Sequence, residues 1–331
     1  MYPTFSELLK DLFGIDIYLP IQTYGFFLSL AFLSSYWVAR HEILRKHKKG
    51  TFNYPINQSK PKNPLDHLYY MVLLAVIFGL LGTKIFADLE QWQELVEHPL
   101  QVLFSYNGIS FLGGLVVGSI AVASYAKAHK LPVFQLMDAA AIAIPFAYGV
   151  GRIGCQVSGD GCWGQYNAAY AHPDSIPKSA YALGQVTSFK PPEWLHFIPD
   201  WFFAYTYPHN TANKGLLMQN CTWEHCHVLA APVFPTPFYE TLLMMFIVLI
   251  LLFLKKKLRI PGLLFAWYLI LAGLERFFIE KIRINKQFDF LGYRLSQAAI
   301  IALYMIGVGI VWMVFLYLKS QKSSNDKINI S

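Results

Sequence analysis

The chain has 331 residues, of which 55% are hydrophobic, 16% aromatic and only 14% charged. Roughly a quarter of the residues in an ordinary soluble domain are charged, so this composition excludes that class and predicts a single polytopic membrane domain, residues 1–331. The formal net charge of +7 does not indicate a nucleic-acid partner, because the basic residues lie in short segments beside apolar runs. We expect no cleavable signal peptide, since residues 1–20 contain no basic region followed by an apolar run.

About seven apolar segments approach the length of roughly twenty residues that a helix needs to cross a bilayer. They are residues 21–39, 68–87, 108–126, 133–151, 237–254, 261–280 and 296–318. Clusters of lysine and arginine follow the first, third, fifth and seventh segments. With seven spans these clusters share one side, and the positive-inside rule then places the N-terminus outside and the C-terminus in the cytoplasm. The predicted fold is an all-α polytopic membrane protein.

Two polar regions flank these predicted spans. Residues 157–234 have no apolar run of spanning length, and we expect an extracytoplasmic insertion of loops and short elements between spans four and five. Cys221 and Cys226 lie in it, on the oxidising side, where a disulfide or free thiols are favoured over a zinc site that includes His227. Residues 319–331 are polar, and we expect a flexible cytoplasmic tail.

The most informative stretch, residues 149–164, ends the fourth span and combines Arg152, Asp160 and several glycines. An arginine at the mouth of a span is costly unless it has an anionic partner, and its planar fork matches a phosphate in a bidentate way. Glycines such as Gly154 let backbone N–H groups approach an anion closely. We expect Arg152 to hold a phospholipid headgroup in a lipid-accessible cavity. The alternative is an ion pair with Asp or Glu that only joins two helices.

Other polar or small residues near span ends allow two interpretations each. Tyr24 is either an interfacial anchor or a phenol that contacts the headgroup. Lys84 either extends its side chain to the interface or adds a second cation to the phosphate site. Gly113 and Gly114 either allow close helix packing or let a substrate approach the backbone. Cys155, like Cys162, is compatible with simple packing.

Charged residues also stand at the outer ends of the fifth and sixth spans. Glu240 follows two prolines and is either a first-turn residue favoured by the helix dipole or a partner that orients Arg152 or Arg276. Arg276, Glu280 and Arg283 share one helix face. An arginine that faces a cavity at the edge of the hydrocarbon is a candidate functional residue.

Short motifs follow one another along the chain in a characteristic order. They are Tyr24-Gly25, Gly82-Thr83-Lys84, His98-Pro99-Leu100 and residues 110–115, 151–164, 235–240 and 276–280. Together they resemble the motifs of bacterial phosphatidylglycerol–prolipoprotein diacylglyceryl transferases, and the likeness covers nearly the whole chain. The family signature Gly-Arg-x-Gly-Asn-Phe-x-Asn-Gly-Glu-x-x-Gly resembles residues 151–164. Several short motifs in the right order and spans make the resemblance specific.

The chain departs from this family at several positions. Leu112 replaces a histidine that is a proposed general base, and Ala272 replaces a tyrosine. Within the signature, Cys155 and Ser158 replace two asparagines, and Asp160 replaces a glutamate. Lys84 also stands where the family has an arginine. The cations that bind phosphate are therefore better preserved than the acid–base residues.

The resemblance implies transfer of a diacylglyceryl group from phosphatidylglycerol to the lipobox cysteine thiol of a prolipoprotein, with release of glycerol 1-phosphate. The residues expected to be catalytic are Arg152, Arg276, Asp160, Glu240 and Glu280. Those expected to bind substrate are Arg152, Tyr24, Lys84, Gly113, Gly114, Gly154, Ser158 and Tyr239. We expect no metal or other cofactor. The expected partners are phosphatidylglycerol, prolipoproteins and the lipid bilayer, in a multi-pass protein of the bacterial cytoplasmic (inner) membrane.

Two other functions remain open at this stage. A phospholipid-binding relative that has lost transfer activity is suggested by Leu112 and Ala272. A small-molecule transporter predicts internal pseudo-symmetry and broken helices in the middle of the membrane. The costly residues of this chain gather instead at the outer ends of its spans.

Overall fold

The computed structural model describes residues 1–19, 21–50, 52, 64–90, 92–97, 111–285, 287–290 and 293–328. Its helices are α1 (Phe5–Phe13), α2 (Thr23–Lys48), α3 (Pro64–Glu90), α4 (Trp92–Glu97), α5 (Phe111–Ala128), α6 (Val133–Ser158), α7 (Lys178–Ala182), α8 (Thr236–Lys257), α9 (Leu263–Glu280) and α10 (Gln297–Ile328). Its strands are β1 (Tyr166–Asn167), β2 (Val186–Thr187), β3 (Leu216–Leu217), β4 (His227–Val228), β5 (Gln287–Phe290) and β6 (Tyr293–Ser296). The chain is mostly helical, with short strands that the all-α prediction did not include.

Four helical segments among these residues are long and apolar enough to cross a membrane. They are Leu65–Leu89, Val133–Ser158, Thr236–Lys257 and Gln297–Lys322. Helices α2, α5 and α9 also cover most of the described residues of the other three predicted spans. The count of seven spans and the orientation stay predictions. Helix α10 continues to Ile328, the flexibility of residues 319–331 stays a prediction, and residues 329–331 lie outside the described part.

The chain divides into two compact units. One contains residues 1–35 and 141–331, and the other contains residues 36–140. The second unit has a small apolar core to which α2, α3, α5 and α6 contribute side chains. Near that core Lys46 Nζ lies 3.4 Å from Asp138 Oδ2.

Helices α3 and α5 of the second unit pack through a seam of glycines. A Cβ atom added to Gly113 would lie 2.3 Å from the carbonyl oxygen of Gly82 and 2.4 Å from Cβ of Phe86. A Cβ atom on Gly114 would lie 2.6 Å from Thr83 Cγ2. Such small residues let the backbones of two membrane helices approach closely. The packing alternative for Gly113 and Gly114 is therefore realised in the structure, and their role in substrate binding stays a prediction.

We expect Gly113→Ala to lower the free energy of unfolding by about 1–3 kcal/mol, because its methyl group overpacks this seam. The matched control is Gly307→Ala in α10, where an added Cβ meets nothing within 4 Å. Thermal unfolding of the purified chain in detergent measures both. Equal midpoints for the two variants would show that the seam does not require a glycine.

The segment between α6 and α8 belongs to the first unit and folds around buried polar residues. Strands β1 and β2 pair in parallel, and β3 pairs with β4 in antiparallel orientation. The fully buried Asn210 donates from Nδ2 to the carbonyl oxygens of Tyr207 and His227, at 3.1 and 2.9 Å. Cys221 and Cys226 form a disulfide, which is one of the two states that the sequence favoured over a zinc site. The placement of residues 157–234 outside the cytoplasm stays a prediction.

Gly164 brings three distant segments of the first unit together. Its N–H donates to the carbonyl of Phe234 at 2.8 Å, and the next N–H, of Gln165, donates to Ile282 at 2.8 Å. A Cβ atom at position 164 would lie 2.6 Å from the Ile282 oxygen, so the approach requires a glycine. The hydroxyl of Thr236 also donates to the carbonyl of Cys162 at 2.8 Å. These contacts join the end of the 149–164 stretch to the start of α8 and the end of α9.

Candidate functional site

Glu240, in the first turns of α8, is the centre of a group of charged side chains. Its side chain is fully buried, although a carboxylate in such a position is costly without partners. The prolines at 235 and 237 fit the start of α8, where backbone N–H groups have no helical partner. With α8 beginning at Thr236, the side chain of Glu240 points into the protein, where cations compensate its charge.

Three arginines from two segments surround the carboxylate of Glu240. Nε of Arg152, from α6, lies 2.7 Å from Oε2 of Glu240. This contact is an ion pair and not a hydrogen bond, because the Nε–H bond does not point at the oxygen. Nη1 of Arg276, from α9, donates to Oε1 at 2.9 Å. Nη1 of Arg283, just after α9, donates to the same oxygen at 3.1 Å. The side chains of all three arginines are less than a quarter exposed, so solvent screens their charges weakly.

Tyr148 completes the contacts of Arg152. Nη2 of Arg152 donates to the Tyr148 hydroxyl at 2.7 Å, and that hydroxyl donates to Oε1 of Glu240 at 3.3 Å. The guanidinium carbon also lies 4.9 Å from the centre of the Tyr148 ring. Because Tyr148 stands four residues before Arg152 on the same helix, it fixes the direction of the guanidinium fork.

Two further glutamates of α9 lie in this charged environment. Oε2 of Glu280 forms an ion pair with Nη2 of Arg276 at 3.1 Å, and Oε1 accepts a hydrogen bond from Asn285. Glu275 is buried, and its two carboxylate oxygens have no hydrogen-bond partner among the described residues. We call Glu240, Arg152, Arg276, Arg283 and Glu280 the arginine–glutamate cluster.

A second group of side chains lies at the end of α6 and in the loop after it. Gly159 and Gly161 have φ angles of +64° and +95°, which let the loop turn back over the helix end. Ligand atoms of Cys155, Asp160 and Cys162 thereby lie within 4.8 Å of one another. A hydrogen bond from the Cys155 thiol lowers the pKa of the Cys162 thiol, because it stabilises the thiolate. Nη1 of Arg152 is 3.7 Å from Cys155 Sγ, so this group adjoins the cluster.

An apolar cavity of about 500 Å³ lies at the ends of α8 and α9, the helix ends that also carry Glu240 and Arg276. Its walls come from the segment between α6 and α8, from α8 itself and from the end of α9. The residues are Thr187, Phe189, Phe202, Phe203, Phe234, Tyr239, Leu242, Leu243, Ile279 and Ile282. Tyr239 precedes Glu240, and Ile279 and Ile282 lie between Arg276 and Arg283 in the sequence. The charged cluster and the cavity are therefore built on the same two helix ends.

The remaining predicted site residues of the first unit have other contacts. Ser158 is buried, and its hydroxyl has no hydrogen-bond partner in the described part of the chain. Gly154 allows α2 and α6 to pack, since a Cβ there would lie 2.8 Å from Phe27 Cβ. Tyr24 is 39% exposed, and the Tyr239 hydroxyl donates to the carbonyl of Phe202. Their contacts with substrate stay predictions.

Lys84, Gly113 and Gly114 belong to the second unit. There Nζ of Lys84 lies 2.8 Å from Oδ1 of Asp88, one helical turn further along α3. That ion pair is a different partner from the lipid phosphate expected for Lys84, whose role in substrate binding stays a prediction. The side chain of Leu112 and the motif at residues 98–100 lie outside the described part of the chain.

Several residues of the site were not predicted to take part in it. Tyr148 and Glu275 were not singled out. Arg283 was placed on the face of Arg276 but was not assigned to the site. Spacing of four residues from Arg152 is the signal that points to Tyr148.

Fold and site together define the class of this protein. It is a mostly helical membrane protein with a buried cluster of arginines and carboxylates and an apolar cavity. Its sequence matches the profile of the family described as prolipoprotein diacylglyceryl transferase over residues 11–315, and the chain belongs to that family. The resemblance seen in the short motifs is confirmed.

Curated relatives carry the name phosphatidylglycerol–prolipoprotein diacylglyceryl transferase. The protein of Leptospira interrogans is 27% identical over 208 residues, which are 53% of this chain and 60% of the relative. The match therefore spans less than two thirds of that relative. The protein of Staphylococcus saprophyticus is 26% identical and covers 88% of this chain and 84% of its own. The protein of Clostridium tetani is 24% identical, with 92% and 95% covered.

Proposed function

We propose that this chain transfers a diacylglyceryl group from phosphatidylglycerol to the lipobox cysteine thiol of a prolipoprotein and releases glycerol 1-phosphate. The observation that carries the proposal is the convergence of Arg152, Arg276 and Arg283 on one buried carboxylate, Glu240. Membership of the family and the names of the relatives supply the reaction and its two substrates.

The arginines are suited to hold the phosphate of the lipid. A guanidinium has five N–H donors, and one carboxylate cannot accept all those of three arginines. Donors therefore remain for the two unesterified oxygens of a phosphodiester, which a guanidinium binds in a bidentate way. Glu240 and Tyr148 hold the guanidinium groups in place before the lipid binds, so little reorganisation is needed. Arg152 and Arg276 are the proposed catalytic arginines, and Arg283 joins them.

The apolar cavity is suited to the acyl part of the lipid. Aromatic and aliphatic side chains form nearly all of its walls. An acyl chain placed there gains about 0.8 kcal/mol for each CH₂ group that it removes from water. Since the cavity and the cluster share the ends of α8 and α9, one lipid can occupy both.

The reaction replaces a carbon–oxygen bond by a carbon–sulfur bond. The acceptor sulfur attacks the glyceryl carbon that bears the phosphate, and the electron pair of the broken bond leaves on the phosphate oxygen. Preorganised arginines stabilise the charge that develops there, which is the kind of interaction that contributes most to many enzymes. The thiol must also lose its proton, because only the thiolate is strongly nucleophilic.

The three carboxylates predicted to take part have different surroundings. Glu240 and Glu280 are engaged by arginines, which makes them positioning groups for those arginines. Asp160 is half-buried, and one oxygen accepts a hydrogen bond from the backbone N–H of Cys162 at 3.1 Å. Of these three carboxylates, Asp160 is the one without an arginine ion pair in the described part of the chain.

The proposal places the chain as a multi-pass protein in the bacterial cytoplasmic (inner) membrane, with the site near the outer leaflet. The clusters of basic residues that follow alternate predicted spans support this orientation. Its partners are phosphatidylglycerol, prolipoproteins and the bilayer.

A membrane assay tests the proposal. Membranes that contain this chain as the only transferase are supplied with a prolipoprotein and with phosphatidylglycerol. The lipid is labelled in its glycerol phosphate headgroup. We expect a mobility shift of the precursor together with release of labelled glycerol phosphate. An unchanged precursor beside an active family member would reject the transferase function.

A phospholipid-binding relative without transfer activity is the second candidate, and the buried Ala272 in place of a family tyrosine favours it. It predicts stoichiometric binding of phosphatidylglycerol without glycerol phosphate release in the same membranes.

A further inference from the structure

Two thiols and one carboxylate lie close together at the end of α6. They adjoin the arginine–glutamate cluster but share no residue with it. Cys155 is buried, whereas Cys162 and Asp160 are half-buried. Their ligand atoms lie within 4.8 Å of one another. Both thiols are free, and the other two cysteines of the chain form the Cys221–Cys226 disulfide. The chain therefore places its two free thiols side by side with a carboxylate.

Sulfur and carboxylate ligands of this kind match the preference of zinc. Zinc binds cysteine sulfur at about 2.3 Å and carboxylate oxygen at about 2.0–2.2 Å, in tetrahedral geometry. Ligand atoms of one such site are then about 3.4–3.8 Å apart. Side-chain shifts of about 1 Å suffice to reach that spacing from the observed one. Three protein ligands leave a fourth position open, as in catalytic rather than structural zinc sites.

The charges around the group also fit a bound cation. A divalent ion held by two thiolates and one carboxylate carries one net negative charge. Nη1 of Arg152 lies 3.7 Å from Cys155 Sγ. The guanidinium of Arg152 would stabilise the loaded site. The backbone N–H of Cys162 donates to Oδ1 of Asp160, which leaves Oδ2 for the cation.

We propose that Cys155, Asp160 and Cys162 bind a thiophilic divalent cation of the zinc class, whose open fourth position takes the acceptor cysteine thiol. This inference rests on the proposed transfer function and gives that function a means of activating its nucleophile. It differs from the expectation drawn from the sequence, which included no metal and found the two cysteines compatible with packing.

The acceptor thiol binds the cation through sulfur and releases its proton to water, since metal coordination deprotonates a thiol. The sulfur then forms its bond to the glyceryl carbon as the bond from that carbon to the phosphate oxygen breaks. The electron pair leaves on the phosphate, beside Arg152. The thioether product is a weaker ligand than a thiolate and leaves the fourth position.

Cobalt binding to the full-length chain in detergent tests the site without any need for activity. Co²⁺ bound by thiolates gives a charge-transfer absorption band, and the disulfide leaves only Cys155 and Cys162 to produce it. We expect about one Co²⁺ per chain, displaced by Zn²⁺. Mutation of a residue that only hydrogen-bonds to a metal ligand typically lowers metal affinity about 10–100-fold, and loss of a ligand itself should lower it more. Cys162→Ser and Asp160→Asn should therefore each weaken Co²⁺ binding by more than about 100-fold. Asp174→Asn, at an exposed position, is the matched control.

The acceptor is tested with a lipobox peptide and its Cys→Ser analogue. We expect the cysteine peptide to change the cobalt spectrum and the serine peptide to leave it unchanged. The absence of a charge-transfer band, its persistence in Cys162→Ser, or a Cys155–Cys162 disulfide in the isolated chain would overturn the metal site. Full transfer activity in a chelator would overturn its role in the reaction. A cobalt-binding chain that shows no transfer in membranes would instead reject the proposed function and leave the metal site standing.

Discussion

Arg152→Lys should lower the rate of diacylglyceryl transfer by about 10²–10³-fold, the typical effect of removing one preorganised donor to developing charge. The lysine ammonium keeps the positive charge but lacks the planar fork. It therefore cannot hold Glu240 and the Tyr148 hydroxyl together, as Nε and Nη2 of Arg152 do at 2.7 Å each, and still bind a phosphate through two donors. Conversion of a prolipoprotein in membranes, normalised to the amount of the chain, measures the effect.

The matched control for this variant is Arg259→Lys, in the exposed segment between α8 and α9. It makes the same chemical change without touching the cluster and should leave the rate unchanged. Full activity of Arg152→Lys at the same membrane level would refute a bidentate role for this arginine.

Glu240→Gln should have the largest effect on stability and should also abolish transfer. The substitution keeps the shape of the side chain but removes the carboxylate that three weakly solvated arginines share. Removing one partner of a buried ion pair typically costs about 3–5 kcal/mol, because it leaves charge without compensation. Thermal unfolding of the purified chain in detergent should therefore show a lower midpoint than the unchanged chain.

Two further variants separate charge from shape in this prediction. Glu193→Gln makes the same change at an exposed position and should not alter the midpoint. Glu240→Gln combined with Arg283→Gln removes one of the uncompensated cations, so its midpoint should be higher than that of Glu240→Gln alone. A single variant as stable as the unchanged chain would show that Glu240 does not neutralise the cluster.

The meeting of Arg152, Arg276 and Glu240 could be anticipated from the sequence because each residue ends or begins an apolar segment on the same predicted side. The functional roles of these residues stay proposals. The role of Arg283 was harder to anticipate, because it follows α9 in a segment whose Ile282 carbonyl accepts a hydrogen bond from the N–H of the distant Gln165.

The approach of Cys155, Asp160 and Cys162 could not be predicted in the same way. It depends on positive φ angles at Gly159 and Gly161, which the sequence permits but does not require. The pairing of Lys84 with Asp88 illustrates the opposite case, since a spacing of four residues on one helix favours it locally. Local spacing was informative within helices, whereas contacts made by loops depended on the whole fold.

The central claim is that arginines of the cluster bind the phosphate of one lipid, and a solid-state NMR distance tests it most directly. The chain is labelled with ¹⁵N in its arginine side chains and loaded with phosphatidylglycerol, and dipolar coupling between ¹⁵N and the lipid ³¹P is measured. We predict strong ¹⁵N–³¹P coupling, as expected when guanidinium N–H groups donate to phosphate oxygens at N···O distances of about 2.8 Å. The coupling should be weaker in Arg152→Lys and in Arg276→Lys. Coupling that is absent, or that is unchanged in both variants, would contradict the account.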